Sequence, residues 1–153
     1  MKQLNNLLKE LDEHLPKIHL QKHSVSTGSV GWHLEHSLLV IIQVITLMKE
    51  SDPNKYKWTF HFWRTYIFFL GRIPRGKVSA PSMVQPKENS NQQKVALRLK
   101  VAKVLVEELA LLDPKQFIKH PFLGVLSRKH IIKFLIIHTN HHLKIIKEIE
   151  GRG

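Results

Sequence analysis

The chain has no cysteine at all. Disulfides, iron–sulfur clusters and thiolate zinc sites are therefore excluded, and the composition fits a reducing compartment. Acidic residues are scarce: 12 Asp plus Glu stand against 24 Lys plus Arg, a formal charge of +12 with histidine neutral. No stretch alternates polar and apolar residues over a strand's length between turn signals. The most apolar run, Leu38 to Met48, is broken by Gln43 and Thr46 and falls short of the ~20 residues that cross a bilayer. The N-terminal "MKQLNNLLKELDEHLPK" is charged throughout and lacks the uninterrupted apolar core of a signal peptide. A cytoplasmic protein without a membrane partner is the expectation. No glycine loop has the spacing that cradles a phosphate, "GRIPRGK" included, and no Gly–x–Ser–x–Gly turn presents a nucleophile.

Helical periodicity is what remains, and 153 residues suffice for one core, so a single domain over residues 1–153 is expected. Leu4, Leu7, Leu8, Leu11 and Leu15 form a one-sided stripe that Pro16 ends. Ser26, Thr27 and Ser29 are candidate N-caps for a second helix from about Val30 to Glu50, apolar nearly all round and so central. A third helix is expected from about Pro53 to Leu70, rich in aromatics. These could serve as core or as a homodimer interface. Gly71 to Gln92, with three prolines and no period, reads as a long irregular connection. A fourth helix should run from about Asn91 to Leu112 and a last one from the Ser127 cap to about Ile149. With five helical segments and no strand, the expected fold is all-α, a bundle of four long helices with one extra short helical segment and a long loop.

Histidine placement carries the chemistry. On the last helix Ile131, Leu135, His138, His142, Ile145 and Ile149 recur at three- and four-residue spacing as one inward seam. His138 and His142, four apart, lie one above the other with Cβ atoms about 5–6 Å apart. That separation suits two imidazoles converging on a divalent metal. Buried histidines are often no more than hydrogen-bonded core residues, but each neutral ring needs both a donor and an acceptor satisfied, and a shared ion meets one need of each. His141 is off the seam and should point at a neighbouring helix or the rim. A third ligand must come from elsewhere. The best stretch is "GWHLEHSLLV", which holds His33 and His36, while His61 and His120 are weaker alternatives; periodicity leaves His33 against His36 open. Glu35 should face another way on its helix. His120, before Pro121, suits contacts beyond the first ligands or with substrate.

Trp–x–x–x–His at the start of the second helix ("WHLEH"), with His–x–x–x–His on the last ("HTNHH"), resembles the DinB-like family. These are four-helix metal-binding proteins related to damage-inducible DinB and to hydrolases of the YfiT type. The segment "KHPFLGVLSRKHIIKFLIIHTNHHLKII" is similar to an uncharacterised branch of that superfamily. The resemblance implies a DinB-like four-helix bundle and a three-histidine site at His36, His138 and His142. It also implies a divalent ion, zinc or nickel, and either hydrolysis or transfer dependent on a small thiol. His33 and His141 are extra relative to the family pattern.

Three functions follow. The first is a metal-dependent enzyme acting on a small-molecule substrate, with Arg72, Arg75 and Lys77 of the connection orienting an anionic group. The second is a binding or stress-related module with a closed metal site, completed by His33 or His141. The third is an anionic-polymer binder using Gly71 to Lys103, which holds eight basic residues and one acid. It is disfavoured for nucleic acid because no reading motif accompanies the charge.

Overall fold

The computed structural model describes residues 1–76, 81–86 and 90–152. It is mostly helical, with α1 at Lys2–Glu13, α2 at Val30–Lys49, α3 at Phe62–Leu70, α4 at Gln92–Leu111 and α5 at Arg128–Ile149. A two-stranded antiparallel hairpin, β1 at Phe117–His120 and β2 at Gly124–Ser127, was not foreseen. Each strand has only four residues, too few for a readable alternation. Pairing runs from Phe117 opposite Ser127 to His120 opposite Gly124. Gly124 has φ +67°, and a Cβ there would come within 2.7 Å of the His61 ring, so both its conformation and its neighbour require glycine.

Side-chain caps fix three of the long helices. Ser29 accepts from the Trp32 N–H and Asn91 from the Lys94 N–H, while His130 Nδ1 takes the Ser127 N–H at the start of α5. Of the candidate caps for α2, Ser29 is the one used. Its first turn is held further by Val30 N–H to Leu20 O and Gly31 N–H to Ile18 O, both 2.9 Å. Gly31 lies so close to the preceding segment that a Cβ would sit 3.0 Å from Ile18 O. The entry to α2 is thus fixed in position before its histidines begin.

α2 is the central element, packed on both α4 and α5, and α1 closes the other side of those two helices. Leu4, Leu7, Leu8 and Leu11 of α1 meet Val95, Leu99, Ala102, Val106 and Leu109 of α4 in one hydrophobic cluster with α2 and α5. Burial of each Leu or Ile side chain contributes roughly 1.5–3 kcal/mol. By length and composition α2 is apolar enough to cross a membrane, beyond the shorter run recognised in the sequence. In the structure 67% of its most apolar window is buried inside the protein, as a core helix would be.

Residues 53–61 depart from expectation. Only a 3-10 turn at Pro53–Lys55 precedes a stretch without helix, and α3 does not start until Phe62. Among the described residues, the connection from α3 to α4 contains one further 3-10 turn, Ser82–Val84.

Candidate metal centre

The start of α2 faces the middle of α5. His33 and His36, one turn apart on α2, meet His138 and His142, one turn apart on α5. All four are buried. His36, His138 and His142 each offer a ring nitrogen, and the three nitrogens lie within 4.8 Å of one another, close enough to hold a metal ion. Their ring centroids are 4.6–5.2 Å apart. Trp32 stacks on His36 at 5.0 Å with an interplanar angle of 16°, which fixes the ring's plane.

Hydrogen bonds on the far sides of the rings sort the nitrogens. His36 Nδ1 lies 2.8 Å from the Val84 carbonyl. A carbonyl only accepts, so Nδ1 carries the proton and the neutral ring keeps its lone pair at Nε2. His142 Nδ1 lies 2.9 Å from His33 Nδ1, and His33 Nε2 lies 2.9 Å from Ser26 Oγ, which also accepts from the Gly28 N–H. This chain has two polarities. If His142 donates to His33 and His33 to Ser26, the lone pair of His142 is at Nε2. If Ser26 donates inward, His142 Nε2 carries a proton instead. His138 Nδ1 is buried with no hydrogen-bond partner among the described residues. An unsatisfied buried polar atom costs on the order of 1–3 kcal/mol. The donor set fits a divalent cation: three neutral imidazoles, two of them held from behind by hydrogen bonds, and one with a nitrogen unsatisfied.

Electrostatics keep the rings neutral. Burial pushes His138 and His142 well below the ordinary imidazole range, with the neighbouring histidines adding to the effect. Burial also lowers His36, partly offset by its bond to Val84. His33 is lowered to about 4, first by burial and then by His36, His141 and Arg75. A neutral imidazole is the form that binds a metal.

The other expected residues fall at graded distances. His141 is half-buried beside His142, at 5.1 Å between centroids, and hydrogen-bonds backbone at Ile73. It therefore meets the connection after α3, consistent with a rim position. His120 is at the end of β1, one aromatic layer away: its ring is edge-on to Phe134 at 4.8 Å, and Phe134 lies 5.5 Å from His138. Burial, and then His61, lower it to about 4. His61, the N-cap of α3, packs against Gly124 and outside the triad. Arg75 pairs with both carboxylate oxygens of Glu148, at 2.8 and 2.7 Å, and its charge is felt by His33 and His141. Arg72 is exposed and shares none of these contacts. Lys77 lies outside the described residues.

No family model matches the chain. Neither a curated protein nor a solved structure matches it. The site's chemistry therefore rests on its own geometry.

Two participants had not been foreseen. Val84 reaches His36 from a 3-10 turn 48 residues away in sequence, and no local pattern marks a backbone carbonyl as a partner. Ser26 was weighed only as a helix cap. Ser26 lies in the non-helical segment before α2, where no helical period links it to His33. Glu35 does face away from the triad, as expected, but into the core: it is fully buried and bound to Arg98, to Ser90 and, at 3.4 Å, to Lys94. A buried carboxylate needs such partners.

Proposed function

We propose that this protein is a divalent-metal-binding protein with His36, His138 and His142 as ligands, zinc or nickel being the ions in view. The observation that carries the reading is the close approach of three neutral ring nitrogens, with His36 held from behind by Val84 and His142 by His33. Backing of this kind orients ligating histidines and is worth roughly 10–100-fold in metal affinity. Ion binding at His142 Nε2 selects the polarity in which His142 donates to His33 and His33 to Ser26.

Three ligands rather than four favour a reactive site over a closed structural one. Both nitrogens of His33 are engaged, one with His142 and one with Ser26, so His33 serves as a positioning residue and not as a fourth ligand. His141 turns toward Ile73. The reading is accordingly a metal-dependent hydrolase or a thiol-dependent transferase, as the DinB-like resemblance suggests, on a DinB-like four-helix bundle. Bound there, the ion would supply Lewis acidity toward a water or a small thiol. The chain's own part is to hold the ligands neutral and to stack Trp32 against His36, while Arg75 near the rim is already paired with Glu148.

Chelator-stripped protein titrated with zinc, nickel and cobalt tests this. One ion per chain is expected, with a cobalt absorption spectrum that changes when azide or a small thiol is added. Stoichiometric binding with a spectrum indifferent to both would sink the reactive reading and leave a closed site. Absence of binding would sink both.

A further inference from the structure

α3 is amphipathic in the inverse sense. Its buried residues are Arg64 and Ile67, with Phe68 half-buried, while Phe62, Trp63, Tyr66 and Phe69 are turned outward. Arg64 is used internally: its guanidinium donates to the carbonyls of Thr59 and Val125, tying the segment to the hairpin. Phe68 lies near His130 and under the Lys133 ammonium on α5. The outward side chains include Trp58 and Phe60 just before the helix. Trp58, Phe60, Phe62 and Trp63 are 56–67% exposed, Tyr66 41% and Phe69 86%. Phe62 and Tyr66 stack nearly parallel, with Trp63 edge-on to both, so the face is built rather than scattered.

Aromatic side chains present roughly 150–250 Å² each, so six of them half exposed leave several hundred Å² of apolar surface. Patches of that size mark contact with a partner or a membrane. The charge around the patch distinguishes the two. No acidic residue occurs between Asp52 and Glu88. Lys57 and Arg72 flank the face and are exposed, and Lys55 is 80% exposed despite its loose 3.8 Å contact with Asp52. A second copy would bring the same acid-free, basic face against itself. An anionic surface complements it, and Trp and Tyr are the side chains that settle at the boundary between headgroups and acyl chains.

We propose that residues 56–72 form a docking face that lies flat on an anionic lipid bilayer, with the aromatics of 58–69 entering the interface and Lys55, Lys57 and Arg72 meeting lipid phosphates. This is independent of the metal reading. It departs from the expectation of no membrane partner, and the contact needs no spanning segment.

Co-sedimentation of the full chain with vesicles of phosphatidylcholine alone, or mixed with phosphatidylglycerol, tests the proposal. Partition should be at least about tenfold stronger onto the anionic vesicles, fall steeply at high salt, and shift the tryptophan emission to the blue. Trp63→Ser with Phe69→Ser should lower partition by at least about tenfold, with the far-ultraviolet circular dichroism unchanged because both side chains are exposed. Lys57→Glu with Arg72→Glu gives a second route to the same loss without touching an aromatic. Absence of partition at low salt would overturn the proposal, as would partition indifferent to both pairs of substitutions. So would a dimer in sedimentation velocity that the aromatic pair dissolves, since a second copy would then be the occupant.

Discussion

Two regions of this protein break the ordinary rule of polar outside and apolar inside, in opposite directions. Where α2 meets α5, four histidines are buried among Leu and Ile. Along residues 58–69, six large aromatics stand in solvent around a buried arginine. Each inversion costs stability: desolvated imidazoles need partners, and exposed rings forgo burial. The two are compensated differently. His33, His36 and His142 are tied into directional bonds with Val84, Ser26 and each other, whereas Phe62, Trp63 and Tyr66 stack against one another. A cost met by directed bonds points to a small, geometrically defined ligand such as an ion. A cost spread over a flat apolar face points to an extended partner surface.

The largest effects are expected at the histidine seam of α5. Replacing His138 by Leu is expected to abolish tight metal binding while raising the stability of metal-free protein by about 1–2 kcal/mol, because a buried nitrogen without a partner is removed and the His142–His33 bond is left intact. Urea unfolding in the presence of chelator reads the second effect. A His138→Leu variant that is much less stable would show His138 to be an ordinary hydrogen-bonded core residue.

Acid should act on the same region. Burial leaves His33 at about 4 in the folded protein against 6.5 unfolded. The unfolded chain therefore binds more protons between these values, and stability falls as pH drops from about 6.5 toward 4. His120, also lowered to about 4, acts in the same direction and window. His33 alone corresponds to about 3 kcal/mol. Thermal unfolding of metal-free protein across that range, compared with His33→Gln, checks the sign: the variant should lose part of the dependence. A stability rising toward acid would contradict the burial of neutral rings.

In the aromatic region the expected effects are smaller and separable. Arg64→Ala leaves the Thr59 and Val125 carbonyls without their donor, at a cost of about 1–3 kcal/mol, and should loosen residues 56–70 from the hairpin. Hydrogen exchange of β2 and α3 amides would rise together. Phe69→Ser should change stability by no more than about 0.5 kcal/mol in urea unfolding, since Phe69 is 86% exposed. A larger loss would mean that the ring is packed in solution.

The same contrast explains what could be read from sequence. His138 and His142 were legible because a 3.6-residue period fixes which side of a long helix faces inward, and α5 runs for 22 residues. The α2 boundaries were legible from Ser29 and the "SDPN" stop. The position of His33 was not. Periodicity places it beside His36 but cannot say that its nitrogens go to His142 and Ser26. The aromatic stretch misled for a related reason: a hydrophobic composition names a face without naming its side, and nine residues of α3 give too few turns to decide. The hairpin escaped because its two strands have four residues each, and the stretch around Pro121 and Gly124 read as a connection before the last helix. Of the two histidines left open on α2, His36 is the one whose ring nitrogen lies with those of His138 and His142.

The most direct test of the metal centre is elemental analysis of protein purified without an affinity tag, comparing wild type with His138→Ala. The expected result is about one divalent ion per chain in the wild type and a near-complete loss in the variant, with both proteins folded by circular dichroism. Metal-free wild type that also fails to take up zinc or nickel, or a variant that keeps its ion, would contradict the assignment of His36, His138 and His142.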